Sequence, residues 1–252
     1  MICTFLGTGT SMGVPVAGGF GSEMIDDDPR NQRTRCSVWV QTEKASIIID
    51  TGPEFRIQSI RSNIRHIDMV LITHEHMDHI AGLDDLRSYN YMQNGPIPVF
   101  TTDRVIKSIQ TRFDYLFGEN KYPGSTTLDM QIIDEPIKYA DATIIPLTYH
   151  HGKIDVTGYR INDFTYMTDV KEIPPETKEK VKGSKVLVLS GLRWGPKHPT
   201  HLTIPEAVEI ACELNIPQTF LVHMNAYVNH EDSNRRLPPN VQLAYDQLQI
   251  TI

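Results

Sequence analysis

The segment THEHMDHIAGLDDLRSY, Thr73 to Tyr89, places His74, His76, Asp78 and His79 within six positions. Imidazole and carboxylate are donor types that suit zinc, manganese and iron. One histidine in a polar turn would carry no such meaning, but four ligand-type side chains in six residues do. His74 and His76 alternate, so in an extended segment both rings lie on one side. Asp78 and His79 then face elsewhere and are available to a second ion. The cluster follows the apolar run MVLI. A strand would therefore deliver it at its carboxyl end, with the next helix opening near Asp78.

Two neighbouring ions need more ligands than one loop supplies. Asp50 closes SIIID, Asp169 follows FTYM, and His223 closes QTFLVH. Each stands just past an apolar run, where a sheet can gather side chains into one site. The remaining imidazoles are His66, His150, His151, His198, His201 and His230.

The elements that must position these groups are legible as short runs. ICTFL, SVWVQ, SIIID, MVLIT, IPVF, ATIIPL, TGYRI, FTYM, KVLVLS and QTFLV read as strands. Several are nearly all apolar, as strands covered on both faces tend to be. Helices are expected over Leu83–Met92, Arg104–Phe113, Pro174–Val181 and Ile204–Leu214. The last opens after Thr203, with Pro205 in its first turn and Glu206 nearby. Strands mixed with helices point to sheets with helices packed outside. No repeat or linker divides the chain, so residues 1–252 are expected to form one domain.

HEHMDH resembles the H-x-H-x-D-H signature of the metallo-β-lactamase fold. SIIIDTG precedes it, and PLTYHHGK, FTYMTDV and FLVH follow in the family's order, so the resemblance spans nearly the whole chain. It implies an α/β (α+β) four-layer αββα sandwich with a two-metal site at one edge of the paired sheets. His74, His76 and His151 would hold the first ion. Asp78, His79 and His223 would hold the second, and Asp169 would bridge them. Asp50 would support the loop without ligating. His151 is preferred to the adjacent His150 because PLTYHHGK resembles the P-L-x-x-x-H-x-K run of the phosphodiesterase branch. The cofactors implied are two divalent ions, zinc first, with manganese or iron as alternatives.

Within the fold the chain looks most like the phosphoribosyl 1,2-cyclic phosphate phosphodiesterase branch, through LGTGTSMGVPV, NQRTRCS and THLT. It departs from that branch in one respect. The branch carries an extra structural zinc held by cysteines after the first glycine loop, whereas here the segment reads AGGFGSEMIDDDPR. Ala226 stands where a further histidine would be. No structural zinc is therefore expected between Ala17 and Arg35. His201, in KHPTHLT, is expected to protonate a leaving alkoxide or bind a phosphoryl oxygen, with His198 as a rival. Asp78 counts as catalytic as well as metal-ligating.

Bulk properties narrow the partners. The chain has 252 residues, 40% hydrophobic and 22% charged, with a net charge of −7. This composition is that of a soluble globular protein. No apolar run is long enough to span a bilayer, and the N-terminus lacks the pattern of an export signal, so a cytoplasmic location is expected. The negative charge argues against a sequence-independent grip on nucleic acid. It leaves room for a local basic pocket that takes one small phosphorylated substrate. A homodimer is compatible with these features.

Lesser features have modest readings. GTGTSMG is neither GxGxxG nor a P-loop; a tight strand-to-loop turn is expected, with a phosphate-binding loop as the alternative. Arg33 and Arg35 read as structural or solvated. Trp194 either packs or walls a ligand site. Cys3, Cys36 and Cys212 read as buried thiols. The expected activity is hydrolysis of a small or cyclic phosphodiester by two-metal activation of water. The alternatives are nucleic-acid processing like that of the tRNA 3′-end endonuclease, or a non-hydrolytic metal-binding or cofactor-pathway role.

Overall fold

In the apolar runs, alternate residues face opposite hydrophobic layers. The computed structural model describes residues 1–20, 28–118, 122 and 124–252. In it the chain forms β1 (Ile2–Gly7), β2 (Ser37–Gln41), β3 (Ser46–Ile49), α1 (Phe55–Arg61), β4 (Met69–Leu71) and α2 (Met77–Ile80). Then come α3 (Arg87–Gln93), β5 (Ile97–Thr101), α4 (Asp103–Arg112), β6 (Leu128–Ile132), β7 (Ile137–Tyr139), β8 (Ala142–His151), β9 (Ile154–Ile161) and β10 (Phe164–Met167). The chain continues with α5 (Pro175–Val181), β11 (Val186–Ser190), α6 (Ile204–Glu213), β12 (Gln218–Val222), α7 (His230–Arg236), β13 (Val241–Leu243) and β14 (Gln249–Thr251).

The strands make two seven-stranded sheets, in the orders β14-β1-β2-β3-β4-β5-β6 and β13-β12-β11-β10-β9-β8-β7. Ile47 and Ile49 of β3, Phe220 and Val222 of β12, and Val186 and Val188 of β11 fill the space between the sheets. Phe5 and Phe220 meet there with ring centroids 5.3 Å apart. Ile48, on the opposite face of β3, joins Phe55, Leu83 and Val105 beneath the helices of the first sheet. Leu187, Leu189 and Leu221 join Ile204, Ala207 and Ala211 beneath those of the second. This is the expected αββα sandwich, and the double-sided burial explains why these strands read as continuous rather than alternating apolar runs.

Both sheets change strand direction at an equivalent place. β3 pairs antiparallel with β2 and parallel with β4; β10 pairs antiparallel with β9 and parallel with β11. Asp50 lies directly after β3 and Asp169 two residues after β10, at the switch points where open sheets leave a crevice for ligands.

Several elements escape the sequence pattern. α7, HEDSNRR, has no apolar residue to show a period, and α1 leaves Ile57 and Ile60 exposed. The short strands β6, β7, β13 and β14 extend or edge the sheets. Leu83–Met92 is not one helix but a 3₁₀ turn, Leu83–Leu86, followed by α3. Cys3 and Cys36 are buried as expected, whereas Cys212 is exposed. It falls off the stripe of Ile204, Ala207 and Ala211 by which α6 packs.

Candidate metal centre

The site is built at the carboxyl ends of β3, β4, β8, β10 and β12. Three strand-end residues that reach it share one backbone state: Asp50 has φ 62°, Asp169 φ 56° and His223 φ 62°. Left-handed backbone at non-glycine residues costs on the order of 1 kcal/mol or more and clusters at functional sites.

The signature loop is held from below by Asp50, which is fully buried. Its carboxylate accepts from the Thr73 N–H at 2.8 Å, the Thr73 hydroxyl at 2.9 Å and His79 Nδ1 at 2.7 Å. Because the Thr73 hydroxyl gives its proton to Asp50, it accepts from His74 Nδ1, 3.0 Å away. His151 Nδ1 donates to the Thr200 carbonyl at 2.8 Å. These contacts hold the Nδ1 edges of His74, His79 and His151 outside the site and leave Nε2 of each to face it. Such outer partners orient histidine ligands in metal sites.

Around those nitrogens the other side chains close in. His79 Nε2 is 3.1 Å from Asp169 Oδ2 and 3.2 Å from Asp78 Oδ2. His223 Nε2 is 3.1 Å from Asp169 Oδ1 and 3.8 Å from Asp78 Oδ2. His74 Nε2 is 2.9 Å from His76 Nδ1, and the His76 and His151 rings are 5.4 Å apart. Three groups of ligand atoms lie within 4.8 Å of one another: His74, His79 and Asp169; Asp78, His79 and His223; His151, Asp169 and His201. Six of the seven expected ligands fall in these groups, His76 adjoins them through His74, and Asp169 shares groups with residues of both expected sets. His79 does not face away from the first set, since its ring is 4.3 Å from that of His74.

His201 comes to the same place. Its ring is 4.6 Å from His151 and stacks on His223 at 4.8 Å, with Nδ1 3.5 Å from Asp169. His198 is one ring further out, 5.0 Å from His201. His150 points the other way on β8 and pairs with Asp155, His66 pairs with Asp68 at the surface, and His230 packs on Tyr245.

The electrostatics suit cations. Asp50, Asp78 and Asp169 have no Lys or Arg partner among the described residues; their ion-pair partners are the imidazoles of His79 and, for Asp78 and Asp169, His223. Burial opposes charge on His79, yet the carboxylates of Asp50, Asp78 and Asp169 outweigh it and hold its pKa well above the ordinary imidazole value. Burial works against Asp169 too, but His223 and His79 keep its carboxyl well below the usual range. Burial, then His79, pushes His74 well down, and burial with His223 lowers His201 to about 3. His79 Nε2, both His223 ring nitrogens and His201 Nδ1 are buried without an aligned hydrogen-bond partner. Nitrogens this close to carboxylates, yet unbonded, fit a donor set shaped for divalent ions.

The lesser motifs fall outside this chemistry. In GTGTSMG, the amides of Gly9, Thr10 and Gly13 are spent on Thr34, Met224 and Thr10 carbonyls. A Cβ on Gly7 would lie 2.0 Å from the Arg35 carbonyl. The loop is the tight turn expected, and those amides have nothing left for a phosphate. Arg33 is buried, donating to Asn31 and to the Val228 carbonyl, and Arg35 pairs with Glu54. Trp194 packs, with its indole N–H on Ser233 and Arg236 over its ring. Part of the segment where no structural zinc is expected, residues 21–27, lies outside the described residues. Among the described residues, no helix is long and apolar enough to cross a membrane.

The family model described as the β-lactamase superfamily domain matches residues 45–224. A solved structure described as a new diphosphatase from the PhnP family is 35% identical, covers 100% of this chain and 97% of its own, and superposes with a TM-score of 0.92. Zn²⁺-bound PqqB from Methylobacterium extorquens shares the fold at 16% identity, full coverage of both chains and a TM-score of 0.81. The short form of human tRNase Z does so at 17% identity, with 100% and 99% coverage and a TM-score of 0.71. A curated octanoyltransferase from Porphyromonas gingivalis is 36% identical over 256 residues; the chain spans about half the length (52%) of that relative.

Proposed function

The chain belongs to the β-lactamase superfamily, as a metallo-β-lactamase fold hydrolase of the PhnP-like branch, and from that premise we propose that it hydrolyses a small phosphodiester or diphosphate through two divalent ions. The observation that carries this reading is the convergence of Asp78, Asp169 and the imidazoles, with buried nitrogens left unpartnered. His74, His76 and His151 would hold one ion and Asp78, His79 and His223 the other, with Asp169 in reach of both. Zinc is the first candidate. Two ions in such a centre lower the pKa of water and neutralise phosphoryl charge.

The protein's own groups supply orientation and proton handling. Asp50 and Thr73 lock the imidazoles of His79 and His74, and the Thr200 carbonyl locks His151. The site therefore enters the reaction already organised, which is where electrostatic catalysis gains most. His201 faces the same crevice from the loop before α6. Neutral, it donates a hydrogen bond to a phosphoryl oxygen; beside an anionic substrate its proton affinity rises, and it can pass a proton to the leaving alkoxide.

The diphosphatase description of the 35%-identical structure supports phosphoanhydride or phosphodiester substrates. The octanoyltransferase name belongs to a protein about twice as long, so acyl transfer is a competing arm of the test. Metal analysis of the purified chain should give two ions per molecule. Bis(4-nitrophenyl) phosphate, cyclic diesters and nucleoside diphosphate esters should be turned over well above phosphomonoesters, β-lactams and acyl thioesters. Faster thioester or lactam turnover would overturn the substrate class, and fewer than two ions would overturn the centre.

A further inference from the structure

The signature loop and the hairpin that carries His151 belong to different sheets, so something must set the distance between them. β9 runs beside the segment that leads from β4 into the signature. Tyr159 gives its hydroxyl proton to the Ile72 carbonyl at 2.7 Å, and the Thr157 N–H donates to the Thr73 carbonyl at 3.0 Å. At the next step along both segments, Asp155 and Glu75, the link is made by Arg104 from the first turn of α4. Its Nη1 pairs with Glu75 Oε1, and its Nη2 donates to the Asp155 carbonyl at 2.6 Å. Arg112, from the end of the same helix, donates to the Glu75 carbonyl.

Both ends of this link lie beside proposed ligands. Glu75 sits between His74 and His76. Asp155 pairs in register with His150, and Ile154 with His151. Asp155 also accepts from His150 Nδ1 at 2.9 Å, which holds the hairpin tip. Glu75 Oε2 is buried without a hydrogen-bond partner. Arg104 is the only cationic side chain paired with this carboxylate among the described residues. A planar guanidinium can hold a carboxylate and a carbonyl in one fixed geometry; an ammonium cannot do so with the same rigidity.

We infer that Arg104 is a positioning residue for the first ion: it fixes the separation of His74 and His76 from His151 by clamping Glu75 to Asp155. This rests on the two-ion reading above and adds a residue to it. The second ion, held by Asp78, His79 and His223, takes no ligand from the β8–β9 hairpin, so the clamp reaches it only indirectly, through the shared Asp169.

The test is a zinc titration of the metal-stripped full chain against a chromophoric chelator, which resolves two stepwise affinities. His76→Ala identifies the step that belongs to the first ion. Arg104→Ala should weaken that step roughly 10-fold or more, in the range found for outer-shell partners of metal ligands, and weaken the other step much less. Arg104→Lys should recover part of the loss, because it restores the charge on Glu75 but not the fork to Asp155. Glu75→Gln, which keeps the side-chain shape, should weaken the same step and serves as the decisive variant if Arg104→Ala fails to fold by circular dichroism. An unchanged first step in Arg104→Ala and Glu75→Gln, or equal weakening of both steps, overturns the inference. Fewer than two ions bound by the wild-type chain would instead overturn the reading beneath it.

Discussion

Asp169 is 3.1 Å from both His79 Nε2 and His223 Nε2, and 3.5 Å from His201 Nδ1. One carboxylate thus reaches imidazoles of both proposed sets, and its two oxygens face different imidazoles. Asp169→Ala should lower the affinity for both ions, read as metal content after dialysis; loss of a single ion would restrict Asp169 to one of them. His201 is predicted to matter differently, since neither proposed metal shell needs it. His201→Ala should lower kcat by roughly 10²-fold with two ions retained, within the usual range for a general acid. The defect should shrink for substrates that leave as 4-nitrophenolate, which need little protonation. Loss of an ion on substitution would reassign His201 as a ligand, a role that its grouping with His151 and Asp169 keeps open.

At the scale of elements, the metal loop is seated against the turn that follows β3. Gly82 N donates to the Thr51 carbonyl at 2.8 Å, and Thr51 N to the His79 carbonyl at 2.8 Å. The two backbones come this close because Gly52 and Gly82, one on each segment, have no side chain. A Cβ on Gly82 would lie 2.3 Å from the Gly52 carbonyl oxygen, and one on Gly52 would lie 2.4 Å from that of Asp78. Gly82→Ala should therefore push α2 off its seat and cost about 1–3 kcal/mol by overpacking. It should also weaken the ion held by Asp78 and His79. Urea unfolding and metal titration check the two effects. Gly95→Ala is the control: its Cβ would meet nothing closer than 4.0 Å, so it should stay within about 0.5 kcal/mol of wild type.

At the scale of the whole molecule, Asp246 joins the chain's last segment to its first loops. It accepts from the Thr8 hydroxyl at 2.8 Å, and from the Thr34 N–H at 2.8 Å and hydroxyl at 2.6 Å. Burial pushes its carboxyl up to about 6 from 3.8, although the threonine bonds pull the other way. Below pH 3.8 the folded and unfolded chains both hold this proton, and no stability depends on it. Between 3.8 and 6 the unfolded chain releases the proton first, so the folded state loses stability as pH rises, and the loss is complete above 6. Asp246→Asn has nothing to ionise. Its unfolding free energy relative to wild type should therefore climb from pH 4 to pH 6.5 and then level off. A flat difference across that window would show that Asp246 is not perturbed.

The sequence by itself determined the layers and the candidate donor set. Ligand chemistry requires particular side chains, so HEHMDH with Asp169 and His223 at strand ends was legible without coordinates. Strands buried on both faces must be apolar at every position, so the sheet strands were legible too. What has no such local signature was decided by the tertiary structure. β6, β7, β13 and β14 are short strands that extend or edge the sheets, and α7 packs without an apolar stripe. The left-handed backbones of Asp50, Asp169 and His223 follow from where each strand ends in its sheet. The choice of His151 over His150 has a simple local cause, since neighbours on a strand face opposite ways, but only the sandwich fixes which face meets the other imidazoles. The Arg104 clamp joins positions 75, 104 and 155, contacts that a linear chain cannot display because they exist only once the two sheets have packed.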